Sequence, residues 1–403
     1  MNYNLQHYKI PLQVCFLCFF SISLNISAQE ESKNSFRFSG QISAWGQYTP
    51  DIEKTVWIGG RYLPQINYEH YYPNNNKLDF EVSANIFGDC SIKPFSEFDK
   101  DGKIKPYRIW TRFSTSQMEF RAGLQKINFG SAQMLRPLMW FDRIDPRDPL
   151  QMTDGVWSGL FRYYFKNNTN IWLWGLTMNK DTKGMELLPT AGDIRPEAGG
   201  RVQFPINKGE TAFSYHTRKI DVVNYFNENG LSIFFPANPP DLTREHRFGF
   251  DIRADVILGL WFETSLTYLT EWINLPVNFS LKNQLMTTIG ADYTIGIGNG
   301  LGITLEHLHY SFGNKVFDFN ENINFTALNL TYPVSLFGNA NAILYYDWKN
   351  KGLYSFAGFN YQIKEITLYL MGYWNPKINA LPMQSGTERF SGKGVQVMAV
   401  WNY

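Results

Sequence analysis

Residues 247–256, RFGFDIRADV, alternate polar and apolar side chains at every second position. Phe248 and Phe250 belong to the apolar set, whereas Asp251 and Arg253 belong to the polar set. An α-helix with this spacing would carry charge around its whole circumference, but a β-strand carries all of it on one face. The stretch therefore predicts a β-strand with one charged face and one apolar face.

The same two-residue period recurs along the chain, for example in residues 79–86, 118–125 and 395–403. A soluble β-sandwich would also alternate in this way. Three features favour a membrane barrel instead. The strands are about ten residues or longer, aromatic residues collect at strand ends such as residues 345–348 and 373–374, and the connections alternate between short and long.

The connections set the predicted strand count. Short links are predicted near residues 114–115, 167–168, 207–208, 258–259, 298–299, 338–339 and 364. Long loops are predicted at residues 89–104, 128–153, 179–195, 219–243, 274–282 and 314–322. These boundaries predict an all-β fold class, a single antiparallel transmembrane β-barrel of about 18 strands (16–18) that begins near Phe36 and ends at Tyr403. An even count places both termini on the periplasmic side, together with the short turns.

The composition agrees with a barrel that has one wet face. Aromatic residues make up 17% of the chain and charged residues 18%, where a soluble globular chain has about 25% charged residues. Mean hydropathy is −0.29, and after the N-terminal region no segment has the roughly 18 consecutive apolar residues of a membrane-spanning helix. The net charge of +1 and the lack of a basic tail argue against a nucleic-acid partner.

The N-terminal region predicts export. A short apolar run at residues 11–24 is followed by Ala28 and then by a polar segment, which predicts a signal peptide at residues 1–28 and a barrel at residues 29–403. A single membrane anchor is the alternative, but the run is short for a span. Lipid attachment at Cys18 is disfavoured because Cys18 lies inside the apolar run. Cleavage would leave Cys90 as the single cysteine, which excludes an internal disulfide.

Charged side chains are expected to face the lumen, because Arg or Lys on the lipid face costs about 2–4 kcal/mol at the membrane midplane. One predicted wall is basic and carries Arg108, Arg112, Arg121, Arg162 and Arg201. The opposite wall carries mainly carboxylates, namely Asp251, Asp255, Glu263, Asp292, Glu306 and Asp347, with Arg247 and Arg253 among them. Such a separation would create a transverse field across a wet pore. The alternative is mutual neutralisation by salt bridges within the lumen.

The loop at residues 126–154 is the candidate constriction. It carries Arg136, Arg143, Arg147, Asp142 and Asp145, and its prolines stiffen the backbone. Its apolar residues, which include residues 138–141, predict that it packs against other parts of the protein and folds into the barrel. An external cap or a crossing strand is the alternative.

Part of this region resembles a known family. Residues 123–130, GLQKINFG, and residues 141–146, FDRIDP, resemble a segment of large porin-like outer-membrane barrels, among them the alginate-export type. The resemblance implies an eighteen-strand channel with an arginine-rich lumen for acidic sugars. Trp45, Trp110 and Trp261 are predicted to face the lumen, where they could stack on sugar rings or fill space.

Two further motifs are candidates for a catalytic or metal-binding site. His307 and His309, near Ser311, are expected on the lipid face and raise the alternative of an outer-membrane lipid hydrolase. Residues 97–102 match the first half of a calcium-binding loop. Position twelve of that loop requires a bidentate glutamate but is Arg108 here, so a simple turn is favoured. No cofactor, metal or catalytic site is predicted, and the chain is not expected to be an enzyme.

The sequence therefore predicts a porin-like channel in the outer membrane for hydrophilic solutes, with anionic or sugar-like solutes favoured. The main alternative is a plugged barrel that serves as an adhesin or assembly scaffold. Expected partners are outer-membrane lipid, a hydrophilic small-molecule or oligosaccharide solute, and the barrel-assembly machinery. That machinery is expected to recognise the C-terminal strand, since Tyr403 ends an alternating segment.

Overall fold

The computed structural model describes residues 34–51, 55–92, 98–192, 194–222, 242–271, 280–317, 321–377 and 390–403. The predicted signal peptide lies outside this range. Within it, eighteen antiparallel strands pair in one closed sheet, which confirms the predicted fold class. The strands are β1 Asn34–Tyr48, β2 Val56–Tyr71, β3 Lys77–Ile92, β4 Phe98–Ser114, β5 Met118–Gln125, β6 Val156–Tyr164, β7 Asn170–Leu176, β8 Glu197–Ile206, β9 Gly209–Ile220, β10 Thr243–Asp255, β11 Gly259–Leu269, β12 Asn283–Ile295, β13 Leu301–Gly313, β14 Glu321–Pro333, β15 Gly338–Asp347, β16 Gly352–Ile363, β17 Ile366–Trp374 and β18 Lys393–Asn402.

The barrel closes between its first and last strands. Each strand pairs with its neighbours in the sequence, and β1 pairs with both β2 and β18. The pairing of β1 with β18 runs from Gln41 opposite Asn402 to Tyr48 opposite Val395. Gly40 and Tyr403 extend it by exchanging two main-chain hydrogen bonds of 3.1 Å each. Closure leaves neither terminal strand with an unpaired edge along this register.

The alternating residues at 247–255 lie on opposite faces of β10. Phe248 points outward and is 49% exposed, whereas Arg247 and Asp251 point inward and are 3% and 1% exposed. The same division holds in β3, where Phe80 and Val82 are exposed on the outside and Asp79 and Ser83 are buried on the inside. The barrel thus presents an apolar outer face and a polar inner face, as a membrane barrel requires.

The connections follow the predicted alternation, with two differences. All the predicted short links lie at or beside turns at one end of the barrel, the end that carries Asn34 and Tyr403. The turn at residues 72–76 lies there too. This end is called here the short-turn end. The predicted long loop at residues 89–104 is wrong at residues 89–92 and 98–104, because β3 runs to Ile92 and β4 begins at Phe98, with Asp89 opposite Asp101. The connection at residues 348–351 is short although it lies at the other end, called here the long-loop end.

The residues that imitate a calcium loop are strand residues. Asp99, Asp101 and Gly102 belong to β4, so the predicted turn is wrong there, while Glu97 lies outside the described residues. No group of His, Cys, Asp or Glu side chains suited to a metal ion occurs in the part of the chain that the structure describes. In that same part, the helices are all too short or too polar to cross a membrane.

A charge introduced on the outer face tests the assignment of the two faces. Leu370 is 50% exposed on the outer face near the middle of β17, and Asn341 lies on the inner face of β15 at a similar level. We expect Leu370→Arg to lower the free energy of unfolding in lipid bilayers by about 2–4 kcal/mol and Asn341→Arg to change it little. Urea titration of the refolded barrels in vesicles measures both. Equal losses would contradict the assigned faces.

Candidate functional site

Residues 126–155 connect β5 to β6 and are called here the inserted loop. Its apolar side chains are buried: Ile127 and Met139 are fully buried, and Leu135, Leu138 and Trp140 are 1% exposed. A loop at the mouth of a barrel would leave such side chains in water. Their burial is explained by contacts with inward-facing residues of several strands, so the loop lies against the inside of the wall.

Glu306, on the inner face of β13, holds one part of the inserted loop. Its carboxylate accepts hydrogen bonds from the main-chain N–H groups of Gln133 at 2.6 Å, Met134 at 2.9 Å and Leu135 at 2.6 Å. It also accepts one from Trp261 Nε1 at 3.1 Å. Hydrogen bonds to a charged acceptor are about twice as strong as neutral ones, so this carboxylate fixes the loop backbone.

Glu263, on the inner face of β11, holds the adjoining part in the same way. It accepts hydrogen bonds from the main-chain N–H groups of Ser131 at 2.8 Å, Ala132 at 2.9 Å and Leu138 at 2.7 Å. Gly130 allows this approach, because its φ is +99° and a Cβ there would lie 2.4 Å from Glu263 Oε2. Both carboxylates, assigned from the sequence to an acidic wall, are occupied by loop backbone.

Aromatic packing fixes the remainder of the loop. Phe129, Trp140 and Phe141 pack with Trp174 of β7, and the rings of Phe129 and Trp174 stack at 5.5 Å. Toward the other side of the barrel, the guanidinium of Arg147 lies 5.1 Å from the ring of Phe356 in β16. The loop therefore contacts wall strands on both sides of the lumen.

The charged residues of the inserted loop are paired largely within it. Arg136 Nη1 lies 3.0 Å from Asp142 Oδ2, and Arg147 Nη2 lies 2.9 Å from Asp145 Oδ2. Arg143 donates to Thr182 Oγ1 at 2.6 Å, in the next long connection. Arg136 and Arg147 are therefore ion-paired within the loop, and the position of Arg136, Arg143 and Arg147 at a constriction stays a prediction.

The predicted basic wall lies on the inner faces of β4, β5 and β6, where acids neutralise much of its charge. Arg112 Nε donates to Asp79 Oδ1 at 2.9 Å. Glu119 lies 3.8 Å from Arg112, 3.1 Å from Arg121 and 3.4 Å from Arg162, so three arginines share two carboxylates. These five side chains are called here the arginine cluster.

The remaining predicted wall residues are also engaged. Arg201 forms a buried bidentate pair with Asp251, at 2.6 and 2.9 Å, which joins the predicted basic wall to the predicted acidic one. Arg108 donates to the main-chain oxygen of Thr153 at 2.9 Å, and Asp255 pairs with Arg253 at 3.0 Å. The predicted separation into a basic and an acidic wall is therefore wrong, and salt bridges within the lumen, the alternative, are found instead.

The three predicted lumen tryptophans face inward but are covered. Trp261 is bound to Glu306, and Trp45 packs with Met398 and Val400 in a buried cluster. Trp110 lies beneath Arg121, whose guanidinium is 4.6 Å from the ring. They fill space and support charged side chains, so they are not open platforms for a sugar.

A second connection, between β7 and β8, is bound to the inner wall by a buried network of ion pairs. The sequence did not predict this network. Glu186 lies 2.9 Å from Arg218 Nη1 and 3.0 Å from Arg247 Nη2. Lys183 Nζ lies 2.9 Å from Glu197, and Glu245 lies 2.7 Å from Arg218 Nε. Three cations and three carboxylates are thus mutually compensated, which buried charges require.

The histidine pair of β13 contacts polar side chains of β14. Leu305 is 48% exposed on the outer face, which places His307 and His309 on that face as expected. Their Nδ1 atoms lie 2.9 Å from Thr326 Oγ1 and 2.8 Å from Asn324 Oδ1. Among the described residues Ser311 Oγ has no hydrogen-bond partner, so neither histidine is hydrogen-bonded to it.

A cavity of about 400 Å³ remains between the inserted loop and the inner faces of β14 to β17. It is called here the loop-side cavity. Its polar wall residues are Asn329, Thr331, Asn339, Asn341, Asn360 and Tyr369. The loop contributes Gln133, Arg147, Asp148 and Gln151.

Comparison with known proteins supports the fold. No family model matches this chain, and no curated protein matches it in sequence. Two solved structures from Acinetobacter baumannii, OccAB1 and OccAB4, have TM-scores of 0.53 at 9% identity, over 92% of this chain and 97% and 98% of theirs. An anion-selective porin from Comamonas acidovorans has a TM-score of 0.47 at 12% identity, over 92% of this chain and all of its own. The chain thus shares its barrel fold with OccAB1 and OccAB4, and the resemblance to alginate-export barrels stays a prediction.

Removing one carboxylate tests how the inserted loop is held. Glu306→Ala leaves three main-chain N–H groups and the Trp261 indole without their acceptor. Each buried donor that stays unpaired lowers the stability of the folded state by about 1–3 kcal/mol. We expect amide hydrogen exchange in residues 131–138 to become at least tenfold faster, as measured by mass spectrometry. The matched control is Glu69→Ala, since Glu69 lies on β2 and pairs with Lys77. Unchanged exchange in Glu306→Ala would contradict the role of this carboxylate.

Proposed function

We propose that this protein is a passive outer-membrane channel for small hydrophilic solutes, and that the inserted loop narrows its lumen. The observation that carries the proposal is the loop-side cavity, a polar space left between the loop and the wall of a closed barrel. Barrels of eight strands are filled by side chains, whereas those of 16–18 strands enclose an aqueous lumen. Eighteen strands therefore supply more room than wall side chains alone can fill.

The inserted loop sets the size of the passage. It is anchored by Glu263 and Glu306 on one side and by Arg147 against Phe356 on another, so it crosses the lumen as a fixed partition. A partition fixed by charge-assisted hydrogen bonds keeps a constant opening, which suits sieving by size. The passage then runs past the cavity and the arginine cluster.

The charge pairing predicts weak ion selectivity. Around the arginine cluster the charges nearly balance, because Glu69 and Glu81 also act on its arginines and Lys77 pairs with Asp79 at 3.5 Å. Elsewhere Arg201, Arg136 and Arg147 are each paired. A nearly balanced lumen discriminates weakly between anions and cations, in contrast to the strong preference that an unpaired arginine wall would give.

A sealed barrel that serves as a scaffold or adhesin is the second candidate. The observation that favours it is the extent of burial in residues 126–155 and 177–196, which are held by the glutamate contacts and by the ion network. If both connections together close the lumen, the same contacts would act as a plug. Conductance separates the two candidates.

Export and assembly complete the proposal. A signal peptide at residues 1–28 would direct the chain across the inner membrane, and the barrel-assembly machinery would recognise β18 with its terminal Tyr403. Tyr403 supports this role, because its main chain pairs with Gly40 and its hydroxyl lies 2.8 Å from Tyr62 Oη, so it completes the closing seam.

Single-channel recording of the refolded mature chain in a planar bilayer tests this function. We expect steady conductance with weak ion selectivity. Glu119→Gln should shift the selectivity toward anions, since it removes one of the two carboxylates of the arginine cluster, whereas Glu365→Gln in the exposed turn between β16 and β17 should not. Absence of conductance from a barrel whose folding is verified by heat-dependent gel mobility would favour the sealed scaffold.

A further inference from the structure

We propose that the loop-side cavity is a binding subsite for neutral saccharides, which rests on the proposed channel function and specifies its solute. The cavity lies between the inserted loop and β14 to β17, so a solute in the passage would contact both. Its volume of about 400 Å³ is within the range of small-molecule sites, about 300–1,000 Å³.

The wall of the cavity is built from uncharged amides. Asn329, Asn339, Asn341 and Asn360 occupy inward-facing positions on three consecutive strands. Each amide offers both a donor and an acceptor. A saccharide has hydroxyl groups on all sides, and each can donate and accept hydrogen bonds. An array of amides can therefore bind it in many positions. A solute can then move from one position to the next.

An aromatic ring complements the amides. Tyr369 lines the same cavity together with Met371, whereas the Phe356 ring is 3% exposed and lies beneath Arg147. Aromatic rings pack against the C–H faces of sugars, while the tyrosine hydroxyl remains able to form a hydrogen bond. A site that combines an aromatic surface with several amides matches a ring that has C–H faces and hydroxyl edges.

The charge of Arg147 in the cavity is compensated by Asp145. Arg147 donates to both carboxylate oxygens of Asp145, with distances of 2.9–3.3 Å. Its side chain is fully buried, and among the described residues its Nη1 has no hydrogen-bond partner. Asp148 accepts main-chain hydrogen bonds from Leu150 at 3.0 Å and Met152 at 3.3 Å. An anionic or zwitterionic solute would lose hydration at this site without gaining a free counter-charge, which disfavours both.

Two backbone features hold the polar groups in place. Gly358 leaves room for the Asn341 amide, because a Cβ at that position would lie 2.3 Å from Asn341 Oδ1. Gln151, on the loop side of the cavity, has a φ of +46°, a left-handed conformation that costs energy for a residue with a side chain. Such strain is common at ligand sites, where it fixes the direction of a side chain.

Current block by saccharides tests the subsite. The refolded mature chain is recorded with maltotriose, a neutral trisaccharide, and with trigalacturonic acid, an acidic one of the same length. We expect maltotriose to interrupt the current at lower concentration than the acid. The double variant Asn329→Leu/Asn341→Leu keeps the side-chain size but removes two amides. It should weaken maltotriose block about tenfold or more, since each hydrogen bond contributes about 0.5–1.5 kcal/mol.

Asn67→Leu is the control, since it removes an inward-facing amide of β2, away from the cavity, and should retain the wild-type block. Block that is unchanged in the double variant, or stronger with the acid, would overturn the subsite while the conductance leaves the channel function intact. If the folded barrel conducts no current, the channel function fails, and calorimetric titration with maltotriose in detergent tests the subsite alone. Binding that the double variant loses would support it, and no binding to the wild type would overturn it.

Discussion

The lumen depends on two carboxylates that bind the backbone of a loop. Glu263 and Glu306 together accept six main-chain N–H hydrogen bonds from residues 131–138. A loop without regular secondary structure has unpaired N–H groups, which cannot be buried without acceptors. The barrel wall supplies those acceptors as charged groups, which allows the apolar side chains of the loop to pack inside. The loop in turn determines which part of the lumen remains open.

With the loop inside the barrel, most inward-facing charges form ion pairs, and these pairs determine the net charge along the lumen. Buried charges are costly unless they are compensated, and the narrowed lumen brings the inward-facing charges close to one another and to the loop. Arg201 and Asp251 pair between β8 and β10, and Glu186 compensates Arg218 and Arg247 from the second connection. In the proposed channel, a solute would contact mainly amide and hydroxyl groups on β14 to β17, together with the arginine cluster on the facing strands.

The barrel could be predicted from the sequence because period-two alternation is a local signal, repeated in every strand. The insertion of residues 126–154 could also be anticipated, since a run such as residues 138–141 is too apolar for an exposed loop. The partners of the charges could not be predicted. Glu263 and Glu306 look like any other inward-facing carboxylates, and the only sequence signal is that neither has a lysine or arginine on the same strand. Pairing such as Arg201 with Asp251 depends on side-chain reach across strands, which alternation does not encode.

We infer that the inserted loop narrows the lumen without closing it. The size limit for neutral solutes in a liposome-swelling assay tests this inference. The assay compares the wild-type chain with a variant in which residues 130–150 are replaced by a short Gly/Ser linker. We expect wild-type liposomes to admit small sugars but to exclude larger polymers, and liposomes with the variant to admit both. The same size limit for both chains, or a wild-type barrel that admits no solute, would overturn the inference.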